Sequence, residues 1–139
     1  MAIVYGSQST KVLSTFATPA PGFVNGSVRV FAETLALASQ ATADTIYVGR
    51  LPKGAIFLYG IITTDTSLGT STVAIGIAGA TAKYKAAAAF TATETPTLFG
   101  DANAMNTTIA ADEDVLLTVG TAALPAAGTL QVTLVYAFN

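Results

Sequence analysis

The chain has no cysteine, no histidine and no tryptophan. Without thiols it has neither disulfides nor a thiolate nucleophile. Without histidine it lacks the usual zinc ligands and the imidazole base of the common hydrolytic triads. Charge is scarce too: Asp, Glu, Lys and Arg make up 10% of the 139 residues, against about 25% in an average globular domain. The formal net charge is −2, so the basic footprint that holds nucleic acid is missing, and nucleic acid is not an expected partner. Long apolar runs are also missing. Mean hydropathy is +0.59, yet no stretch approaches the ~20 apolar residues that cross a bilayer. The longest mild run, Val73 to Ala82, is broken by Gly76, Gly79 and Thr81. The first 22 residues carry no continuous apolar core of a secretory signal. Neither a membrane nor a signal peptide is expected.

What the chain does have is 27 Ala and 22 Thr, more than a third of its residues. Small side chains let sheets and subunits approach closely, and the β-branch of Thr favours strands. A chain of 14.0 kDa is long enough for one domain with a real core. Its folded surface, by size scaling, is roughly 6,700 Å², or about one charged group per 480 Å². That cover is thin for a solitary monomer. Much of the surface is expected to meet other protein, through contacts that salt hardly weakens.

Residues 1–26 read as an extended arm. They scatter Val4, Tyr5, Val12, Leu13, Phe16 and Phe23 among Ser, Thr and Gly, with no period of 2 or 3.6. Pro19 and Pro21 disfavour helix around them. Residues 27–139 read as a single β-sandwich, jelly-roll-like domain, making the whole chain all-β. Val28, Val30 and Ala32 oppose Phe31, Leu35 and Leu37, and Ile46 and Val48 oppose Tyr47. Leu51-Pro52-Lys53-Gly54 suits a type I turn. Ala55 to Thr64 is apolar on both faces, as a central, doubly covered strand would be. Thr72 to Ala78 and Asp114 to Val119 alternate, and the last strand is the plainest, with Leu130, Val132, Leu134, Tyr136 and Phe138 at period 2. Lys83 to Ala92 fits either a short helix or a strand. Thr93 to Thr108 reads as a long loop with a short strand near residues 107–111. Seven or eight strands without strand–helix alternation point to a sandwich or jelly roll.

Candidate chemistry is sparse. Asp112-Glu113-Asp114 is the one dense charge cluster; it lacks the ligand spacing of a calcium loop and reads as a solvated turn. Lys83-Tyr84-Lys85 reads as a surface turn or an interfacial salt link rather than an anion site. No Gly-Lys-Ser/Thr follows Gly76 and Gly79, and no Ser-x-x-Lys occurs. No catalytic residue, cofactor or metal is expected. A carbohydrate site would need aromatics beside Asp or Asn, and Phe99, Asp101, Asn103 and Asn106 are the one candidate group.

Three segments carry a resemblance. These are Ala43 to Ala55 (ADTIYVGRLPKGA), Asp65 to Ser71 (DTSLGTS) with the Val-Ala-Ile-Gly strand after it, and Asp112 to Tyr136 with its final Gly-Thr-Leu-x-Val strand. They resemble capsid decoration, or cement, proteins of tailed bacteriophages over roughly residues 28–138. The resemblance implies a β-rich module on the outer surface of the capsid, a homotrimer, that bridges adjacent subunits of the major capsid protein. The other reading is a head-fibre base or a carbohydrate-binding jelly roll that recognises a host surface. On the cement reading the interface candidates are Val4, Tyr5, Val12, Leu13, Phe16, Phe23 and Phe99.

Overall fold

The computed structural model describes residues 26–139. The expected arm, with its candidates Val4, Tyr5, Val12, Leu13, Phe16 and Phe23, lies outside the described residues apart from Gly26. Eight strands follow one another: β1 (Ser27–Ala36), β2 (Thr45–Leu51), β3 (Ile56–Thr64), β4 (Thr72–Ile77), β5 (Ala80–Ala89), β6 (Thr97–Phe99), β7 (Glu113–Gly120) and β8 (Thr129–Phe138). There is no helix among the described residues. The strands form two four-stranded antiparallel sheets, β1-β8-β3-β6 and β2-β7-β4-β5. The pairs β1–β8, β2–β7, β3–β6 and β4–β5 nest inside one another, the order of a long hairpin rolled up on itself, which is the jelly roll.

The core is the facing surface of both sheets. Leu51, Phe57, Ile62, Val73, Ile75, Tyr84, Val115, Leu117, Leu130 and Leu134 are all buried there. In β8, Leu130, Val132 and Leu134 point inward while Gln131 and Thr133 point out, as the alternation requires. Fully burying a side chain of this size contributes ~1.5–3 kcal/mol, so the inner face of β8 alone is a substantial share of the fold's stability.

Of the two readings of Lys83 to Ala92 the strand holds, since Ala80–Ala89 is β5, paired with β4; three other readings change. Strand β6 lies inside the expected long loop, at Thr97–Phe99, while residues 107–111 supply only a bridge from Thr108 to Ile56. The Pro-Gly turn closes one residue later than expected, with Ala55 N–H donating to Pro52 C=O at 3.0 Å. Gly54 takes the third position with φ of 88°, which a type II turn demands and a type I turn does not. Finally, β3 is central in its sheet, but its outer side is buried only at Ile56, while Tyr59 is exposed. A bulge at Leu58 shifts its register on β8, so Phe57, Gly60 and Ile62 face inward, and Tyr59 and Ile61 face out.

Candidate interaction surfaces

Glu113 opens β7, and strand alternation turns its side chain inward, away from Asp112 and Asp114. It accepts hydrogen bonds from the Lys83 ammonium and the Tyr84 hydroxyl, both on β5. The Tyr84 ring is fully buried and meets Phe57 with centroids 4.6 Å apart. Burial first, and the Glu113 carboxylate second, push the Tyr84 hydroxyl well above its usual range. That hydroxyl is thus a donor at every ordinary pH. Lys85, the next residue, donates to Val73 C=O at 3.2 Å, and burial lowers its ammonium below the usual range. Lys83-Tyr84-Lys85 is strand rather than a surface turn, with Lys83 in a salt link inside the chain, and Asp112-Glu113-Asp114 is not the single solvated turn expected of it. The acidic run is split three ways: Asp112 accepts Lys53 N–H at 2.8 Å, and Asp114 accepts from Arg50 Nε and Nη2 at 2.7 and 3.0 Å. Arg50 holds the Asp114 carboxyl below its usual range, and Asp114 raises Arg50. Among the described residues no group of carboxylates is placed to hold a metal ion. The inner network ties β5 to β7.

The outer faces of the two sheets differ. On the β2-β7-β4-β5 sheet the exposed side carries the Arg50–Asp114 pair, Thr45 and Thr72. Thr118 Oγ1 lies on that side, buried and without a hydrogen-bond partner. Among the described residues the outer side of the β1-β8-β3-β6 sheet carries no charged residue. Pairing register lines its side chains in rows: Val28–Ala137–Ile56, then Val30–Val135–Tyr59, then Ala32–Thr133–Ile61–Leu98. Val28 (63%), Val30 (58%), Tyr59 (39%) and Leu98 (69%) are exposed, while Ile56, Val135 and Ala137 in the same rows are buried. The charged residues of β1 point the other way, Arg29 with its guanidinium 5.1 Å from the Phe138 ring. Beside Leu98, a shallow apolar depression is lined by Tyr59, Gly100 and Met105.

Phe99, expected at an interface, sits in the core. Its ring stacks on Phe57 and fills the space above Gly60, where an added Cβ would stand 2.1 Å from it. The neighbouring Leu98 is what faces out. The carbohydrate candidates do not assemble around an aromatic either: Asp101 accepts Asn103 N–H at 2.8 Å within a local turn, and Asn106 N–H is spent on Phe57 C=O. Sequence reasoning missed the apolar outer face. Its signal was present in Val28 and Val30, which alternate with Arg29 and Phe31, but which side faces solvent is decided by the second sheet.

No family model matches the chain, and no curated protein matches it. Among solved structures it is similar to a chain of the cyanophage Pam1 capsid asymmetric unit, with TM-score 0.71 and 26% identity over 92% of this chain and 96% of that one. It is also similar to a chain of the capsid of Ralstonia phage GP4, with TM-score 0.66 and 20% identity over 82% and 86% of the two chains. A third likeness, to the acid-stable capsid of Helicobacter pylori bacteriophage KHP30, has TM-score 0.62 and 12% identity over 81% and 90%. The last two show a common fold; the first adds sequence likeness along nearly the whole of both chains. In its fold this chain is a phage capsid-related protein.

Proposed function

We propose that this chain is a capsid decoration protein. It binds the outer surface of a phage head as a homotrimer and cements adjacent major capsid subunits, with residues 1–26 as an attachment arm and residues 27–139 as the jelly-roll module. The observation that carries the reading is the likeness to the Pam1 capsid chain, end to end and at 26% identity. A structural part is also what the side chains suit. Lys83, Tyr84 and Glu113 are occupied with one another, the charges are few, and one sheet face exposes Val28, Val30, Tyr59 and Leu98. The host-binding alternative loses support because the one aromatic of its candidate cluster, Phe99, is in the core. The reading is tested by imaging particles assembled with and without this chain. Density for it on the outer surface at subunit junctions, and earlier rupture of particles that lack it, are expected. Density confined to the shell interior or the tail, or equal resistance to heat with and without it, would overturn the proposal.

A further inference from the structure

Each sheet ends in two edge strands, β1 and β6 in one and β2 and β5 in the other. An edge presents a row of backbone groups that invites another chain unless it is blunted. Three of these edges are blunted. β6 is only three residues long. β2 bulges between Tyr47 and Gly49. β5 shifts register twice along β4 and carries Lys83 and Lys85. β1 differs: it pairs with β8 from Ser27 to Ala36 without a register shift.

Hydrogen bonds identify the groups of β1 that are left over. Leu37 N–H, just past the strand, donates to Gly128 C=O beside β8, so the odd-numbered residues are the ones bonded to β8. Val28, Val30, Ala32 and Thr34 therefore turn N–H and C=O to the outer edge. All four are exposed. Among the described residues no strand lies beside that edge, and Thr34 N–H takes the Glu33 carboxylate at 3.1 Å.

The charges on the strand select the occupant. A lone charge on an edge repels a second copy, but β1 carries one of each sign, Arg29 and Glu33, placed evenly about Phe31. Neither has an ionic partner among the described residues. Turned antiparallel about Phe31, two copies of β1 set Arg29 of each opposite Glu33 of the other. In that register Val28 meets Thr34 and Val30 meets Ala32, the residues whose backbone groups are open. Arg29 and Glu33 then occupy non-hydrogen-bonded positions, where Cα atoms are ~4.5 Å apart and side chains lie closest. Arg29 stacks over Phe138, which leaves its in-plane N–H groups for a carboxylate. Other registers fail on charge. A slip of two residues sets Arg29 against Phe31 or Leu35, and a slip of four sets Arg29 against Arg29 or Glu33 against Glu33.

We infer that β1 is a twofold self-association edge, on which two copies pair antiparallel about Phe31 and join their β1-β8-β3-β6 sheets into one. The same strand serves both sides, so the contact is isologous. A threefold contact needs another surface, and the β1 edge would join trimers in pairs. The pairing needs no capsid, so it stands or fails separately from the decoration role.

Sedimentation of the purified full-length chain tests it, with the thermal midpoint of each variant as the check on folding. Arg29→Glu and Glu33→Arg are each expected to weaken pairing about tenfold or more, because like charges then stand directly opposite at both symmetry-related positions. The doubly reversed chain, Arg29→Glu with Glu33→Arg, is expected to pair within about threefold of the wild type, since opposition is restored. An equimolar mixture of the two single variants is expected to pair as well, each with the other. A role for these residues within one copy would give no such recovery in the mixture. Ala32→Pro supplies a backbone arm: it removes an outward N–H without touching the ladder to β8, and the folded variant is expected to lose pairing. Pairing unchanged by both single reversals, no recovery in the double reversal or the mixture, or a wild-type chain that does not pair at millimolar concentration would overturn the inference.

Discussion

Replacing Glu113 by Ala removes the acceptor shared by Lys83 and Tyr84. The carboxylate is well shielded, with side-chain exposure of 13%, and Lys83 has 31%. Tyr84 is at 0%. Its buried hydroxyl therefore loses its acceptor, a cost of about 1–3 kcal/mol. Lys83 can swing its ammonium into solvent, so its share stays near the ~1 kcal/mol of partly exposed ion pairs. Together these give a destabilisation of about 2–4 kcal/mol. With an unfolding entropy near ~2.1 cal/mol/K per residue over the described domain, each kcal/mol lowers the midpoint by about 4 °C. The expected fall in Tm is thus roughly 8–16 °C. A double-mutant cycle with Tyr84→Phe isolates the contact. Glu113→Ala should cost about 1–2 kcal/mol less in the Phe background, because no hydroxyl remains to be orphaned. Chemical denaturation of the four proteins measures both quantities. A loss below about 0.5 kcal/mol for Glu113→Ala, or strict additivity in the cycle, would refute the assignment of the network as a buried tie between β5 and β7.

Three further outcomes are expected. Gly60→Ala drives a methyl into the Phe99 ring, which it would approach to 2.1 Å; overpacking of this kind costs about 1–3 kcal/mol, and Phe99→Leu in the same chain should recover part of it in urea midpoints. Asp65 accepts Thr129 N–H at 2.7 Å and the Thr66 hydroxyl at 2.9 Å, and these bonds hold its carboxyl below the ordinary range. A depressed folded-state value gives stability that is present above the unfolded-state value and is lost as pH falls through the folded one. The stability gap between the wild type and Asp65→Asn should accordingly shrink on acidification, and a gap independent of pH in urea titrations would contradict this. On the proposed decoration role, retention on the particle should change little between low and near-molar salt, because Arg50 is already matched by Asp114 and the described outer face of the β1-β8-β3-β6 sheet is uncharged. Release of most copies at moderate salt would transfer attachment to the few cations, beginning with Arg29, Arg50 and Lys53.

Strands whose two faces differ in polarity are legible in the chain itself. β8 needs nothing beyond its own alternation, and the all-β, jelly-roll reading follows from the count and spacing of such strands. Lys83 to Ala92 resists that reading because Ala serves helix and strand alike; pairing with β4 makes it a strand, and pairing partners lie far apart in sequence. Phe99 and Leu98 are both large and apolar, so nothing local says which turns inward; the gap left by Gly60 takes the Phe99 ring. Asp112-Glu113-Asp114 reads as one acidic cluster, yet the two-residue repeat of β7 sends the middle carboxylate to Tyr84 and its neighbours to Lys53 and Arg50. In β3 a single extra residue at Leu58 reverses the faces assigned by simple alternation. Composition and period determined that this chain would build two sheets around one core, because burial of alternate residues is a local pattern. Which apolar residues were left outside, and hence which face is open to a partner, was decided by the tertiary structure, because a face is inner or outer only relative to the sheet packed against it.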